Sequence, residues 1–500
     1  MLTMSLKRRR FVTAGVMTGM LLAALEATVV GTAMPTIVAA LGGLAHYSWV
    51  FSAYLLTSTV TVPVWGKLSD LFGRRRLFQI GVAVFLVGSA ACGFSQTMSQ
   101  LIVARSVQGL GAGALVPLAM TIIGDIFTLQ ERAKMQGLFS SVWGLSSIFG
   151  PLVGGFITDQ LSWRWVFLIN LPVGIAAAVI IGVALVEPPR HAAPSIDYLG
   201  ATVLTVAVTI LLLVLGAENL ASPLNLVLIT LVIGSFFWFI GIEKRAKDPV
   251  VPLALFRNRV VAVAVGVGFL AGIAMFAAIT FVPLMAQGVF GATATQAGSF
   301  LTPLMLSWVL VSIVGGRLLI RFGARVLVLF GLALMLGGFV ALATFTRATP
   351  RSVMMVELVC IGSGLGLVML TLLIASQHSV PREQLGITTS LNQFSRSIGG
   401  AIGVAILGAL LASGLAQFSQ DPNALVNPEA RGHMAPAELR QLQDALQGTL
   451  RNIFAASSVA VALAFIGALA LPSGRLGETH TERMVMAEMT TIDAENEPEG

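Results

Sequence analysis

The sequence predicts an all-α polytopic membrane protein with about 14 transmembrane helices. Its 500 residues are 56% hydrophobic and only 11% charged, and the mean hydropathy is +0.89. So few charges cannot cover the surface of a soluble protein of this length. The apolar residues form continuous runs of about 20, which is the helix length that crosses a bilayer core of ~30 Å, and they do not alternate as in a β-barrel. A soluble enzyme and an outer-membrane barrel are therefore excluded.

The predicted spans follow one another along almost the whole chain. The first follows the basic run 7–10 and lacks a convincing signal-peptide cleavage site, so we interpret it as a retained helix. The apolar runs lie roughly at 11–34, 48–68, 77–96, 100–124, 136–157, 163–187, 196–216, 223–243, 259–286, 296–320, 325–346, 351–376, 386–413 and 451–471.

The distribution of basic residues predicts the orientation. Of the 30 Lys and Arg residues, 22 fall on the N-terminal side of the membrane, 6 fall on the other side, and Arg105 and Arg396 lie within spans. By the positive-inside rule, both termini are cytoplasmic in the plasma (inner) membrane. The basic segment 1–10 and the acidic tail 472–500 are then cytoplasmic, and the long loop 414–450 is external.

An internal repeat divides the chain. Gly66 and Gly73 recur 250 positions later as Gly316 and Gly323, and glycines 109, 111 and 113 recur after 253 positions. This predicts two six-helix halves, 11–187 and 259–471, with two inserted helices and their linkers at 188–258. Transporters built from paired repeats bind substrate near the midplane and alternate between two open states.

A loop between spans two and three carries a candidate conformational gate, formed by Gly66, Asp70, Gly73, Arg74 and Arg75. The glycines permit close helix approach and a tight turn, and the carboxylate is suited to pair with an arginine across the seam between the halves. A plain basic anchor would explain the arginines alone. The segment 66–76 resembles the loop signature of the major facilitator superfamily.

The second copy of that loop differs, because Ile320 takes the place of the acid. The predicted gate is therefore asymmetric.

Glu26 and Arg105 are candidate proton-coupling residues. Counted along their spans at ~1.5 Å per residue, both lie ~8 Å below the outer face. A charge inside a membrane helix is costly unless it faces a partner or a wet cavity. A fixed structural pair is the alternative interpretation. The arginine and the glycines after it resemble the second signature of the superfamily.

Span five carries Gly150, Pro151, Gly154 and Gly155. Small residues four apart let helices approach closely, and the proline frees a carbonyl, so the helix can bend. Ordinary packing would explain the glycines alone. The pattern resembles the signature of antiporter branches of the superfamily.

The segments 25–35 and 163–172 extend the resemblance to the fourteen-helix drug:proton antiporter family, over nearly the whole chain. The chain departs from that family at Glu26 and Gly31, where aspartate and asparagine are more usual. The resemblance implies a major facilitator fold and proton-driven export of hydrophobic or amphipathic, often cationic, drugs and biocides.

Four residues are candidates for the substrate cavity: Glu26, Glu357, Asn392 and Arg396. A cavity-facing Glu357 would suit a cationic substrate, whereas a structural pair between Glu357 and Arg396 is an equal alternative. Candidate aromatic lining residues are Trp49, Tyr54, Trp143, Trp308 and Phe394.

These observations predict an antiporter that uses a proton gradient and no cofactor, acts as a monomer and binds no nucleic acid. No phosphate-binding loop for ATP is present in the sequence. Two alternatives stay open: a facilitative uniporter or importer, and an exporter of a lipid or endogenous metabolite. Dependence of export on a proton gradient would distinguish the antiporter from the first alternative. Accumulation of an endogenous lipid in cells that lack the protein would indicate the second.

Overall fold

The computed structural model describes residues 5–127, 129–186, 198–215, 222–246, 249, 253–381, 384–416 and 422–473. Within these ranges all regular secondary structure is helical. The α-helices are α1 (Leu6–Leu41), α2 (Tyr47–Phe72), α3 (Arg74–Phe94), α4 (Met98–Ile126), α5 (Leu129–Gln160), α6 (Trp165–Leu168), α7 (Asn170–Ala184), α8 (Tyr198–Leu215), α9 (Pro223–Glu243), α10 (Arg259–Leu284), α11 (Ala294–Phe322), α12 (Ala324–Leu342), α13 (Arg351–His378), α14 (Leu385–Leu415), α15 (Pro428–His433) and α16 (Pro436–Ala468).

Most of these helices are long enough to cross a bilayer. Within the described ranges, 11 helices qualify as membrane spans by length and composition. Only 11% of the apolar window of α9 is buried, as expected of a helix surrounded by lipid. The predicted spans at 48–68 and 136–157 are also single helices, α2 and α5.

The start of the last span differs from the sequence prediction. α16 begins at Pro436 and not near position 451, so the loop predicted at 414–450 is shorter. Residues 437–450, an amphipathic stretch of that predicted loop, form the first turns of the spanning helix. The reason is a buried stripe of Leu442, Leu446 and Leu450 at four-residue spacing, which packs against the neighbouring helices and continues the helix beyond the apolar run.

The helices form two bundles. We call α1–α7 the N-terminal bundle, and α10–α14 with α16 the C-terminal bundle; α8 and α9 pack on each other, and α8 also contacts α2 and α14. The side that holds Arg74 and Arg325 is the basic side, and the opposite side is the far side. The predicted domain boundaries stay a prediction, because packing identifies neighbours and not units that fold alone.

Glycines make two equivalent turns on the basic side. Gly73 joins α2 to α3 with φ +95°, and Gly323 joins α11 to α12 with φ +78°. A side chain at either position would be strained, because L residues rarely adopt positive φ. The repeat seen in the sequence therefore gives the same turn in both bundles.

Glycines in α4 and α13 repeat a close helix contact. A Cβ on Gly111 would lie 2.6 Å from the carbonyl oxygen of Gly81 on α3, and a Cβ on Gly364 would lie 2.5 Å from Met335 on α12. Each bundle therefore depends on backbone approach at one repeated position.

Adjacent glycines in α12 provide a test of this packing. A Cβ on buried Gly338 would lie 2.8 Å from the carbonyl oxygen of Glu357 and 2.6 Å from Ile361, whereas no described atom lies within 4 Å of one on Gly337. We expect Gly338→Ala to lower the free energy of unfolding by about 1–3 kcal/mol through overpacking. Gly337→Ala, the matched control, should be neutral or slightly stabilising, since alanine favours a helix. Thermal unfolding in detergent measures both, and equal effects would contradict the packing.

Candidate functional site

A buried ion pair joins α1 to α4. The guanidinium Nη1 of Arg105 contacts Oε1 of Glu26 directly. The two residues are 2% and 3% exposed, so neither charge reaches solvent. The residue count that placed Glu26 and Arg105 at the same depth in the membrane thus corresponds to a direct contact between them.

Three polar side chains complete a network around this pair. Oε2 of Glu26 accepts a hydrogen bond from Nδ2 of Asn170 at 2.7 Å, and Asn170 also reaches Oγ of Ser89 at 3.0 Å. Gln108 accepts from Arg105 at 2.6 Å and donates to Ser89 at 3.1 Å. The network therefore ties both charges to α3 and α7 as well.

Arg105 is also held by α2. Its Nε donates to the carbonyl oxygen of Val50 at 3.2 Å, and its guanidinium lies 4.1 Å from the ring centroid of Tyr54. A cation over an aromatic face is stabilised by the quadrupole of the ring, more strongly when both are desolvated. Five helices of the N-terminal bundle thus meet at one buried, internally neutral centre.

The predicted gate lies at the basic side. Gly66 lies in α2, and Asp70 follows in the same helix, although its side chain lies outside the described residues. Arg74 forms an ion pair with Asp125 and donates to the carbonyl oxygen of Thr121 at 3.2 Å, both on α4 of its own bundle. Arg74 thus binds within its own bundle, and Arg75 beside it is exposed. The predicted pairing of Asp70 across the seam stays a prediction, because the Asp70 side chain is outside the described residues.

The glycines of α5 lie between two helices. Gly150 packs against Thr28 of α1, and a Cβ on Gly154 would lie 2.6 Å from the carbonyl oxygen of Val29. Gly155 faces the other bundle, where a Cβ would lie 2.5 Å from the carbonyl oxygen of Ala294.

The proline of the same motif also contacts the C-terminal bundle. The carbonyl oxygen of Pro151 lies against Gly298 of α11. This motif therefore joins α5 both to its own bundle and to the opposite one.

Hydrogen bonds link the bundles at the far side. The Asp159 carboxylate at the end of α5 accepts from the backbone N–H groups of Ala294 and Thr295 at 3.1 and 2.8 Å, and so caps the first turn of α11. Nε2 of Gln287 donates to the carbonyl oxygen of Thr32 at 2.9 Å. These contacts close the far side between α1, α5 and the C-terminal bundle.

The segment 422–433 also connects both bundles on the far side. Oδ1 of Asn423 accepts from the N–H of Leu44, beyond α1, at 2.9 Å. Nη1 of Arg431 donates to the carbonyl oxygen of Gln287 at 3.1 Å. Partial burial of Arg431 lowers the pKa of its guanidinium.

The structure does not join Glu357 to Arg396. Glu357 is 9% exposed, and its Oε2 has no hydrogen-bond partner among the described residues. Arg396 instead contacts Gln393 and lies 3.7 Å from Sδ of Met369. Asn392 donates to Oγ of Ser376 at 3.0 Å. The alternative of a structural pair between Glu357 and Arg396 is therefore absent from the described structure.

The candidate aromatic residues separate into different environments. Tyr54 belongs to the Arg105 network, whereas Trp49 and Phe394 each pack against an apolar cluster of α2, α8, α9 and α14. Trp308 packs against the main apolar core, and the side chain of Trp143 lies outside the described residues.

Sequence reasoning did not assign roles to Asn170, Ser89, Asp159 and Gln287. Asn170 carried a usable signal, since a polar amide stands alone in the apolar run 165–184. Ser89 carried none, because serine is common in membrane helices.

Comparisons with known proteins extend these observations. Residues 16–404 match the family model described as Major Facilitator Superfamily. The chain is 40% identical over 459 residues to Multidrug transporter protein MdtP of Bacillus subtilis (strain 168), covering 90% of this chain and 85% of that relative. It is 35% identical over 493 residues to Multidrug resistance protein 3 of the same organism, covering 94% and 96%.

Solved structures share the fold at low identity. A bacterial homolog of the human lysosomal transporter Spinster, crystallised inward-facing and unoccupied, matches 93% of this chain and 98% of that chain with a TM-score of 0.68 and 17% identity. The D-xylose-proton symporter matches 93% and 98% with a TM-score of 0.61 and 14% identity.

The buried pair predicts a large coupling energy. Arg105→Met should lower the free energy of unfolding by roughly 3–5 kcal/mol, because it leaves the charge of Glu26 buried without a partner. Glu26→Gln together with Arg105→Met should cost less than the sum of the single changes. Arg347→Met is the matched control, since its pair with Asp444 is exposed and worth about 0–1 kcal/mol. Unfolding in detergent measures this cycle, and additive losses would disprove the coupling.

Proposed function

Because the chain belongs to the Major Facilitator Superfamily, we propose that it is a proton-coupled antiporter that exports hydrophobic or amphipathic drug-like molecules by alternating access. Family membership confirms the predicted major facilitator fold and makes the chain a multi-pass membrane transporter and not an enzyme. The proton gradient would drive export without a cofactor.

The names of two relatives support the substrate class. Both are described as multidrug transport or resistance proteins, and both align over 90% or more of this chain. Export of drug-like molecules is therefore the activity we infer for this protein, and monomeric action in the plasma membrane is part of the proposal.

The buried pair of Glu26 and Arg105 is the observation that carries proton coupling. Protonation of Glu26 would remove the only carboxylate that faces Arg105 among the described residues. A buried guanidinium without a counter-charge costs several kcal/mol. A proton therefore cannot bind without disturbing the network that joins five helices, which links protonation to conformation.

The far-side contacts support a direction for the cycle. With both termini in the cytoplasm, as the basic residues predict, the far side is external. The contacts of Asp159 and Gln287 would then close the protein to the outside. We assign this conformation to the inward-facing state.

Substitution of Glu26 tests the proton coupling. Glu26→Gln should abolish proton-coupled efflux but leave membrane insertion intact, because the amide keeps the shape and removes the titrating group. Glu26→Asp, the conservative control, should retain part of the activity. Efflux of a panel of dyes and antibiotics from vesicles, with and without a protonophore, measures the effect. Gradient-driven efflux by the Gln variant at the wild-type rate would disprove the coupling role.

Substitution of Asp70 tests the gate. Asp70→Asn should slow transport without removing substrate binding, because the change affects the end of α2 and not the cavity. Arg321→Gln, in the repeat that lacks the acid, should have a smaller effect. Rates and binding constants of both variants provide the measurement. Equal losses would show that these charges only orient the protein in the membrane.

A further inference from the structure

Four charged residues lie deep within the described membrane helices: Glu26, Arg105, Glu357 and Arg396. The first two neutralise each other. No ion pair joins Glu357 or Arg396 to another described residue. An unpaired charge in a membrane helix marks a wet cavity or a ligand path. The charge that a substrate contacts therefore depends on which of Glu357 and Arg396 is accessible.

The two unpaired charges differ in accessible surface. Glu357 is the more buried, at 9% exposed, and its carbonyl oxygen lies against α12 at Gly338. Arg396 is partly exposed, and its bond to Gln393 lies at the surface. By accessible surface, the more exposed of these two charges is therefore positive.

Arg396 lies inside the C-terminal bundle and not against lipid. It follows Leu385, the start of α14, by 11 residues, which places it roughly 16 Å along the helix at ~1.5 Å per residue. Its backbone packs on Gly272 of α10, and its side chain reaches Met369 of α13. Partial exposure at the junction of three helices indicates a water-accessible cavity.

The surroundings of Arg396 leave its charge uncompensated. Gln393 offers a neutral amide oxygen and Met369 a thioether, so neither provides a counter-charge. Phe276 packs on Gly400, one turn further along α14, and is itself partly exposed. A cation beside a thioether, with an aromatic ring one helical turn away, matches a molecule that has an acidic group and an apolar body.

We propose that Arg396 binds the acidic group of the transported molecule, so that anionic or zwitterionic amphipaths are substrates. The proposal rests on the proposed function and specifies its substrate class, in contrast to the cationic class that the family resemblance implies. The planar guanidinium would bind a carboxylate, sulfonate or phosphate through paired hydrogen bonds. Met369 and Phe276 would contact the apolar body.

Binding of a matched pair of ligands tests the proposal. A dansyl-labelled long-chain carboxylic acid and its methyl ester share the apolar body but differ in charge, and energy transfer from tryptophan reports their binding to the purified chain in detergent. Wild-type protein should bind the acid more tightly. Arg396→Gln should weaken binding of the acid about 10- to 100-fold and leave the ester unchanged, because a charge-assisted contact is lost.

Two control variants strengthen the test. Arg396→Lys should retain part of the preference for the acid, since lysine keeps the charge and loses the paired geometry. Arg325→Gln removes a positive charge from the same bundle at its basic side and should change neither affinity. Arg396→Gln binding the acid as tightly as wild type, or losing acid and ester alike, would overturn the proposal.

Efflux of the same two ligands separates this inference from the proposed function. If vesicles export the ester under a proton gradient but Arg396→Gln leaves export of the acid intact, the substrate assignment fails and the antiporter stands. If the purified chain binds the acid through Arg396 but exports neither ligand under a gradient, the antiporter fails and the binding site stands.

Discussion

A charge inside a bilayer must be neutralised or wetted, and the pairing of Glu26 with Arg105 meets this constraint for the N-terminal bundle. Each partner would be costly alone, so the helices that carry them cannot separate without exposing a charge to hydrocarbon. Asn170 donates to the second oxygen of Glu26 and also to Ser89, so the constraint extends to two more helices. The same interaction that fixes the bundle is thus the one that a proton would disturb.

Close helix contacts at glycines complement this polar centre. On α5, Gly150 approaches α1 while Gly155 approaches α11, so one helix contacts both bundles along neighbouring faces. Lipid provides no hydrophobic force between helices, and close backbone contact takes its place. Glycine leaves the α5 side of these contacts without a side chain, and this smoothness suits an interface between bodies that move relative to each other. Asp159 adds a hydrogen-bonded cap at the same seam.

The sequence predicted spans and depths well because both depend on one coordinate along a helix. Hydrophobic length located the helices, and counting residues placed Glu26 and Arg105 at one level. The side of the helix from which each residue projects, and therefore its neighbours, was not predictable in this way. The bond from Asn170 to Glu26, the pairing of Arg74 with Asp125 and the separation of Glu357 from Arg396 all depend on rotation and neighbour identity. The early start of α16 followed from tertiary packing of Leu442 and Leu446, which hydropathy does not register.

The segment 422–433 has a consequence for how the cycle can be observed. Asn423 and Arg431 hold it on both bundles at once, so its surface together with the Leu44 turn forms one composite epitope. Opening of the far side would divide that epitope between two separating bodies. An antibody fragment that recognises the composite epitope would therefore bind only the conformer whose far side is closed, and would stop that molecule from completing the transport cycle. Its occupancy would count the closed molecules in a membrane without any label on the chain.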